Sequence, residues 1–300
     1  VNVGVDSVVN LDNNNIFLHS ADTKGTVTSS ATVSTKAQAD RGVNSLGKNI
    51  AYHVAGNFTN NGLIDMGNSW ENIGIASVYK DGQGIATNAG TIKVGRSYVG
   101  AGGWDSPELR ISAGMVAGGT SGYKGRIVNT GTIDLHHPYS IGMVAKGAGA
   151  EAINEGTIHL HSTANHAVGM LITDGASGVN AATGTITIDA KDAIGVFSTL
   201  GSTFKNYGKV TITAGADGSL DIVENATKAK GSLTTDGQPS YRSSDAVLQK
   251  ALNLSLADLA PTDINVRPDA WADRIKKVAE INDHISAVEL INQDEIAERL

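Results

Sequence analysis

The sequence predicts an all-β fold, a right-handed parallel β-helix followed by a short α-helical C-terminal segment. Three observations carry that expectation. An Asn-x-Gly-x-Ile/Val pattern returns at Asn60, Asn88, Asn129, Asn154 and Asn206, with a degenerate copy at Ala182-Gly184-Ile186, and its glycines lie 28, 41, 25, 28 and 24 residues apart. Recurrence in this range marks stacked repeats, each completing the core of the next. After each glycine, apolar and polar residues alternate, as in "TIDLH" from Thr132 and "TIHLH" from Thr157, which is the period of a half-buried strand. Finally, the last of the 36 glycines is Gly237, and Ser244 to Leu300 contains none, so the tail is read as a separate helical unit.

Composition agrees with this class and removes others. With 36 Gly, 5 Pro and 5% aromatics, the chain favours many tight turns around a core of small and β-branched side chains. A net charge of -7 supplies no basic footprint, so nucleic acid is not an expected partner. No stretch approaches the ~18 consecutive apolar residues of a membrane span, and a membrane link is expected only through a barrel absent from this chain. The start, "VNVGVDSVVN", has neither Met nor a charged n-region and reads as a mature or excised segment. Absence of Cys rules out a disulfide framework and a thiolate metal site.

Taken in order, residues 1–227 form the β-helix, with clear repeats over 56–214 and a degenerate region before Gly56. Within each repeat the asparagine is expected to form a ladder, its amide donating to the Asn of one neighbouring rung and accepting from the other. The glycine two places on is expected to supply a positive φ at the turn. The following apolar residue opens the inward row Ile64, Ile92, Ile133, Ile158, Ile186 and Val210. A second marker, Gly74-Ile75, Gly114-Met115, Gly142-Met143, Gly169-Met170 and Gly195-Val196, introduces a further strand. The longest interval holds an excess over Gly95 to Ser112, expected to project as a binding loop through Tyr98, Trp104 and Arg110, residue types favoured at hot spots. Trp104 folding back to anchor that loop is the plainer alternative. Residues 228–243, with Pro239, read as a linker. In 244–300, Ser243 or Ser244 can cap a first helix ended by Pro261. Pro268 then starts a second with Trp271, Ile275, Val278, Ile281, Ile285, Val288 and Ile296 mostly on one stripe. That stripe is expected to cover the end of the β-helix or to support self-association.

Chemistry is sought on the outer face. Aligning the strands puts Asp65, Lys93, Asp134, His159, Thr187 and Thr211 in one outward column, and Gly67, Gly95, His136, His161, Asp189 and Thr213 in the next. His136, His161 and Asp189 are therefore candidate transition-metal ligands, with His137, His159 and His166 close by, against a solvated polar ladder as the plainer reading. Glycoside hydrolysis needs two carboxylates across a cleft, whereas the aspartates fall on non-adjacent coils with no aromatic platform expected beside them. No catalytic residue, metal or cofactor is accordingly expected.

The stretch "NTGTIDLHHPYSIGMVAKGAGAEAINEGTI", with Asn-x-Gly-(Thr)-Ile followed by Gly-Met and Gly-Ala, resembles the repeat in passenger domains of type V autotransporters of Gram-negative bacteria. The likeness covers roughly Gly56 to Ala214. It implies export, an outer-membrane, cell-surface or extracellular location, and a non-enzymatic role as an adhesion scaffold for a host or bacterial receptor, protein or glycan. The helical tail and the lack of a following barrel depart from that family's pattern. The alternative is a polysaccharide-degrading β-helix enzyme, lyase or glycosidase, or a phage-fibre-like carbohydrate-binding protein.

Overall fold

In a computed structural model of the chain, the structure describes residues 1–12, 15–36, 49–78, 84–98, 110–118, 123–199, 201–224 and 228–229. The expected helical tail over 244–300 lies outside them, as does most of the expected linker. The described residues form an all-β, right-handed parallel solenoid whose strands fall into two 8-stranded sheets and one 9-stranded sheet. We call these sheets A, B and C in the order the chain visits them on each coil.

Sheet A contains the strands that end on the ladder asparagines, such as Gly125–Asn129 and Ala150–Asn154. Sheet B contains the alternating strands, such as Thr132–Leu135 and Thr157–Leu160. Sheet C contains those opened by the second glycine marker, such as Ile141–Lys146 and Val168–Thr173. The final strand of sheet C departs from the pattern, because Lys228–Ala229 runs antiparallel against Leu220–Glu224.

Register follows the repeat. Ile64, Ile92, Ile133, Ile158, Ile186 and Val210 lie in one line across sheet B, and all are buried. The stack also begins earlier than Gly56. Val9, Val33 and Ile64 are aligned in sheet B, and Ser29 stands in line with Asn60 in sheet A. The first two coils carry Val3 and Ser29 at the Asn position and Val9 and Val33 at the Ile position, which hides them from a motif search although they keep the register.

The asparagine ladder is continuous. The Nδ2 of Asn60 donates to Oδ1 of Asn88 at 2.8 Å, and Asn88 to Asn129, Asn129 to Asn154, Asn154 to Asn180 and Asn180 to Asn206 each at 2.9 Å. Asn180 fills the rung whose motif is degenerate in sequence, four residues before Gly184 instead of two. The glycines need another explanation than the one expected, since Gly62, Gly90, Gly131 and Gly156 do not have positive φ. A Cβ on Gly131 would lie 2.1 Å from the Gly90 carbonyl oxygen, and one on Gly156 would lie 2.2 Å from that of Gly131. Glycine is required because successive coils approach backbone to backbone.

Beyond its partly exposed first strand, Ile16–Ser20, sheet C is buried on both faces from Ile50–Val54 to Ile194–Ser198. Met115, Met143, Met170 and Val196 belong to the interior. The adjacent row Ala76, Val116, Val144, Leu171, Phe197 and Val223, in register across the sheet, is buried as well. Strands covered on both sides carry continuous apolar runs, not alternation. Sheet B is the one sheet of the three whose strands keep a half-exposed polar face with imidazoles and carboxylates, and it positions the candidate site.

Candidate functional site on the outer face of sheet B

Alternation along Thr132–Leu135 and Thr157–Leu160 turns Ile133, Leu135, Ile158 and Leu160 inward and Asp134 and His159 outward. Asp65, Lys93, Asp134 and His159 lie in one line across neighbouring rungs. The residue after each strand turns outward again. The ladder continues through it, since the His161 N–H donates to the Leu135 carbonyl at 3.0 Å and that of Asp189 to Leu160 at 2.8 Å. Two outward columns thus stand side by side on a rigid backbone.

The side chains pair diagonally between the columns. His161 Nε2 lies 3.0 Å from Asp134 Oδ1, and His159 Nε2 lies 2.6 Å from Asp189 Oδ2. The Thr213 hydroxyl donates to the other Asp189 oxygen at 2.8 Å. His136 stacks on His161 with ring centroids 3.9 Å apart and planes 15° apart, and His159 contacts His161 from its other neighbouring position at 3.7 Å. At the upper end Lys93 Nζ lies 3.4 Å from Asp65 Oδ2.

Of the expected ligands, His136 and His161 are brought together. Asp189 instead serves His159, and Asp134 takes its place, so that ligand atoms of Asp134, His136 and His161 all lie within 4.8 Å of one another. Alignment by column alone misses Asp134, because cross-strand partners also meet on the diagonal.

Electrostatics keep this surface poised. Burial, followed by the charge of His161, lowers the His136 pKa. Burial and the nearby Arg96 guanidinium lower that of His137 to about 4. For Asp189, burial pushes upward, but hydrogen bonds from His159 and Thr213 outweigh it and hold the carboxyl below its ordinary value.

A second feature flanks the first. The chain leaves sheet B through a corner that on five coils places a residue in the left-handed region two positions before sheet C: Glu71 at φ 55°, Tyr139 at 59°, His166 at 62° and Asp192 at 52°, with Gly218 at 72°, whereas Ile111 on the coil after Glu71 does not adopt it. Such a conformation is uncommon for non-glycine residues, least so for Asp and His, and it gathers at functional sites. Tyr139 contacts His166 at 4.8 Å between ring centroids. Further up the corner, Trp70 meets Tyr98 edge to face at 6.2 Å, with the Arg96 guanidinium 5.5 Å from the Trp70 ring. Aromatic rings therefore gather at this corner in two pairs, a grouping that flanks sheet B. It was illegible because its rings come from turns of unequal length, not from the aligned strands.

The expected binding loop is seen only at its neck. Tyr98 and Arg110 pair as an antiparallel bridge through N–H to carbonyl bonds of 2.8 and 2.9 Å. Arg110 Nε lies 4.0 Å from Oε1 of the fully buried Glu71, so this arginine is turned toward the coil. Trp104 lies outside the described residues.

Residues 4–184 match the family described as BigA third pectate lyase-like domain. No curated protein and no solved structure matches the chain. The match supports the β-solenoid and says nothing specific about an autotransporter passenger. It also corrects the expectation of a non-enzymatic scaffold: a pectate lyase-like match, together with the Asp134, His136 and His161 group, points to enzymatic activity.

Proposed function

The chain belongs to the BigA third pectate lyase-like domain family, and from that premise we propose that it binds a uronate-bearing polysaccharide on the outer face of sheet B and cleaves it by β-elimination. The observation that carries the proposal is the His159–Asp189 pair, an imidazole held at 2.6 Å by a carboxylate on the outer face of sheet B. Asp189 lies five residues beyond the matched segment, so the pair is a property of this chain and not of the family match.

The geometry suits proton abstraction. An ionised Asp189 accepts from Nε2–H of His159, which leaves the lone pair on Nδ1, the arrangement in which a carboxylate sets an imidazole's tautomer and stabilises its protonated form. Nδ1 takes the proton alpha to the uronate carboxylate. The electron pair forms the new carbon–carbon double bond, the glycosidic carbon–oxygen bond breaks, and the departing oxygen is protonated by water on this open face. Lys93 and Arg96 supply positive charge for the substrate carboxylate, and the pairs Trp70–Tyr98 and Tyr139–His166 supply ring faces for sugars. Direct hydrolysis is less well supported, because Asp134 and Asp189 are each engaged by a histidine and neither is free to act as a partner acid. Such a polymer lies outside the cytoplasm, so display at the cell surface or secretion forms part of the proposal.

The test is incubation with uronate-bearing and neutral polysaccharides, following the ultraviolet absorbance of unsaturated uronate ends. Absorbance should rise only with uronate polymers, and H159A should lower the rate about 10²-fold or more. New reducing ends without absorbance would replace elimination by hydrolysis. Retention of a glycan with no product would remove catalysis and leave binding.

A further inference from the structure

We propose that Asp134, His136 and His161 form a binding site for one divalent transition-metal ion of the zinc class. Among the described residues this is the one group of three side chains whose ligand atoms lie within 4.8 Å of one another. Its donors are two imidazoles and one carboxylate, a set that suits zinc, cobalt or nickel and leaves a fourth position open. Calcium and magnesium prefer all-oxygen shells and fit it poorly.

The reach is adequate. Tetrahedral zinc with bonds of about 2.0–2.1 Å holds its ligand atoms roughly 3.3 Å apart. His161 Nε2 and Asp134 Oδ1 are already 3.0 Å apart. His136 has to approach by about 1.5 Å at most, within what rotation of a half-buried side chain supplies. Its ring is stacked 15° from parallel with His161, so their nitrogens do not yet converge, and binding should unstack the pair. The backbone need not move. Asp134 and His159 are register partners, and the His161 N–H is bonded to Leu135, which ties the two ligand-bearing strands together.

Neighbouring groups form a support for the site. His159 packs on His161 and is itself held by Asp189, which Thr213 orients. Lys93, one rung above Asp134, pairs with Asp65. The site stands on geometry alone and does not depend on the elimination chemistry proposed above.

The full chain should be titrated with zinc chloride by calorimetry and with cobalt chloride while recording visible absorption. The expected result is one ion per chain, with cobalt bands of the intensity seen for tetrahedral sites, competed by zinc and not by calcium. D134N, H136A and H161A should each weaken binding at least tenfold, while H19A, far from the site, should bind as the parent does. Circular dichroism of each variant guards against loss of fold, and D134N keeps the shape of the side chain it replaces. Absence of a bound ion, or binding unchanged in both H136A and H161A, would overturn the assignment. Because this readout is binding, it can fail while polysaccharide cleavage succeeds, and the reverse.

Discussion

At the residue scale, the same letter in a repeat can serve for different reasons. Asn was legible because a side chain that both donates and accepts can pair with an identical neighbour one rung away, and so repeats as one letter. Gly was legible as a requirement but not as a cause. Its φ is ordinary on the ladder turns, and what excludes a side chain is the neighbouring carbonyl. The two explanations predict different mutants. If Gly131 served a positive φ, Asn would substitute tolerably. With a Cβ 2.1 Å from the Gly90 oxygen, Gly131→Ala and Gly131→Asn should both force the coils apart. Overpacking of this kind costs about 1–3 kcal/mol, more where backbone opposes backbone. Urea midpoints of the two variants test this, and an Asn variant as stable as the parent would restore the φ explanation. At the corner the reverse holds: Tyr139 and Asp192 do occupy positive φ, and no sequence signal marks them because neither is glycine.

At the element scale, sheet B was readable in its facing because one face is wet, whereas sheet C was readable only as a strand at each second glycine marker, because its central strands have no wet face. A strand exposed on one side writes its register as alternation, while Ile141–Lys146, buried at every position, writes only an apolar run. A second polar ladder escaped for another reason. Ahead of sheet C the Asn49 N–H donates to Oδ1 of Asn72 at 3.0 Å, and the Asn72 N–H to Oγ of Ser112 at 2.9 Å. Asn and Ser both accept here, so no single letter repeats. Ser112 also donates to the Arg96 carbonyl at 2.7 Å and so joins the two arms of the inserted loop's neck. Ser112→Ala should therefore cost about 1–3 kcal/mol, the price of leaving a buried donor and acceptor unmet. Ser112→Thr keeps the hydroxyl and should recover part of that loss if its extra methyl is accommodated. A midpoint for Ser112→Ala equal to the parent's would show that water replaces the hydroxyl and that the neck does not rely on it.

On the scale of the whole molecule, the fold is close to one-dimensional, and stability should depend on position along the stack. Each coil touches chiefly the coils before and after it, so a terminal coil lacks one of its two interfaces. Burial records this. Ile133, Ile158 and Ile186 are fully buried, whereas Val210 in the same row is 9% exposed, and at the other end Val9 is only partly buried. The candidate site draws on Asp134, His136, His159, His161 and Asp189, which lie on the fifth, sixth and seventh of the eight rungs of sheet B, each with a rung on either side. A site that must hold an imidazole and a carboxylate in fixed geometry benefits from such a place, since side chains on rigid, doubly supported strands are pre-organised. The placement leads to an expectation that does not require the substrate to be known. Native-state hydrogen exchange should show protection rising from both ends toward Thr132–Leu135 and Thr157–Leu160, with Val8–Leu11 and Lys209–Ile212 opening first. If the amides of sheet B instead exchange at one rate along its whole length, the stack unfolds as a single unit. Interior placement would then confer no extra rigidity on the site, and its order would have to come from the His–Asp pairs themselves.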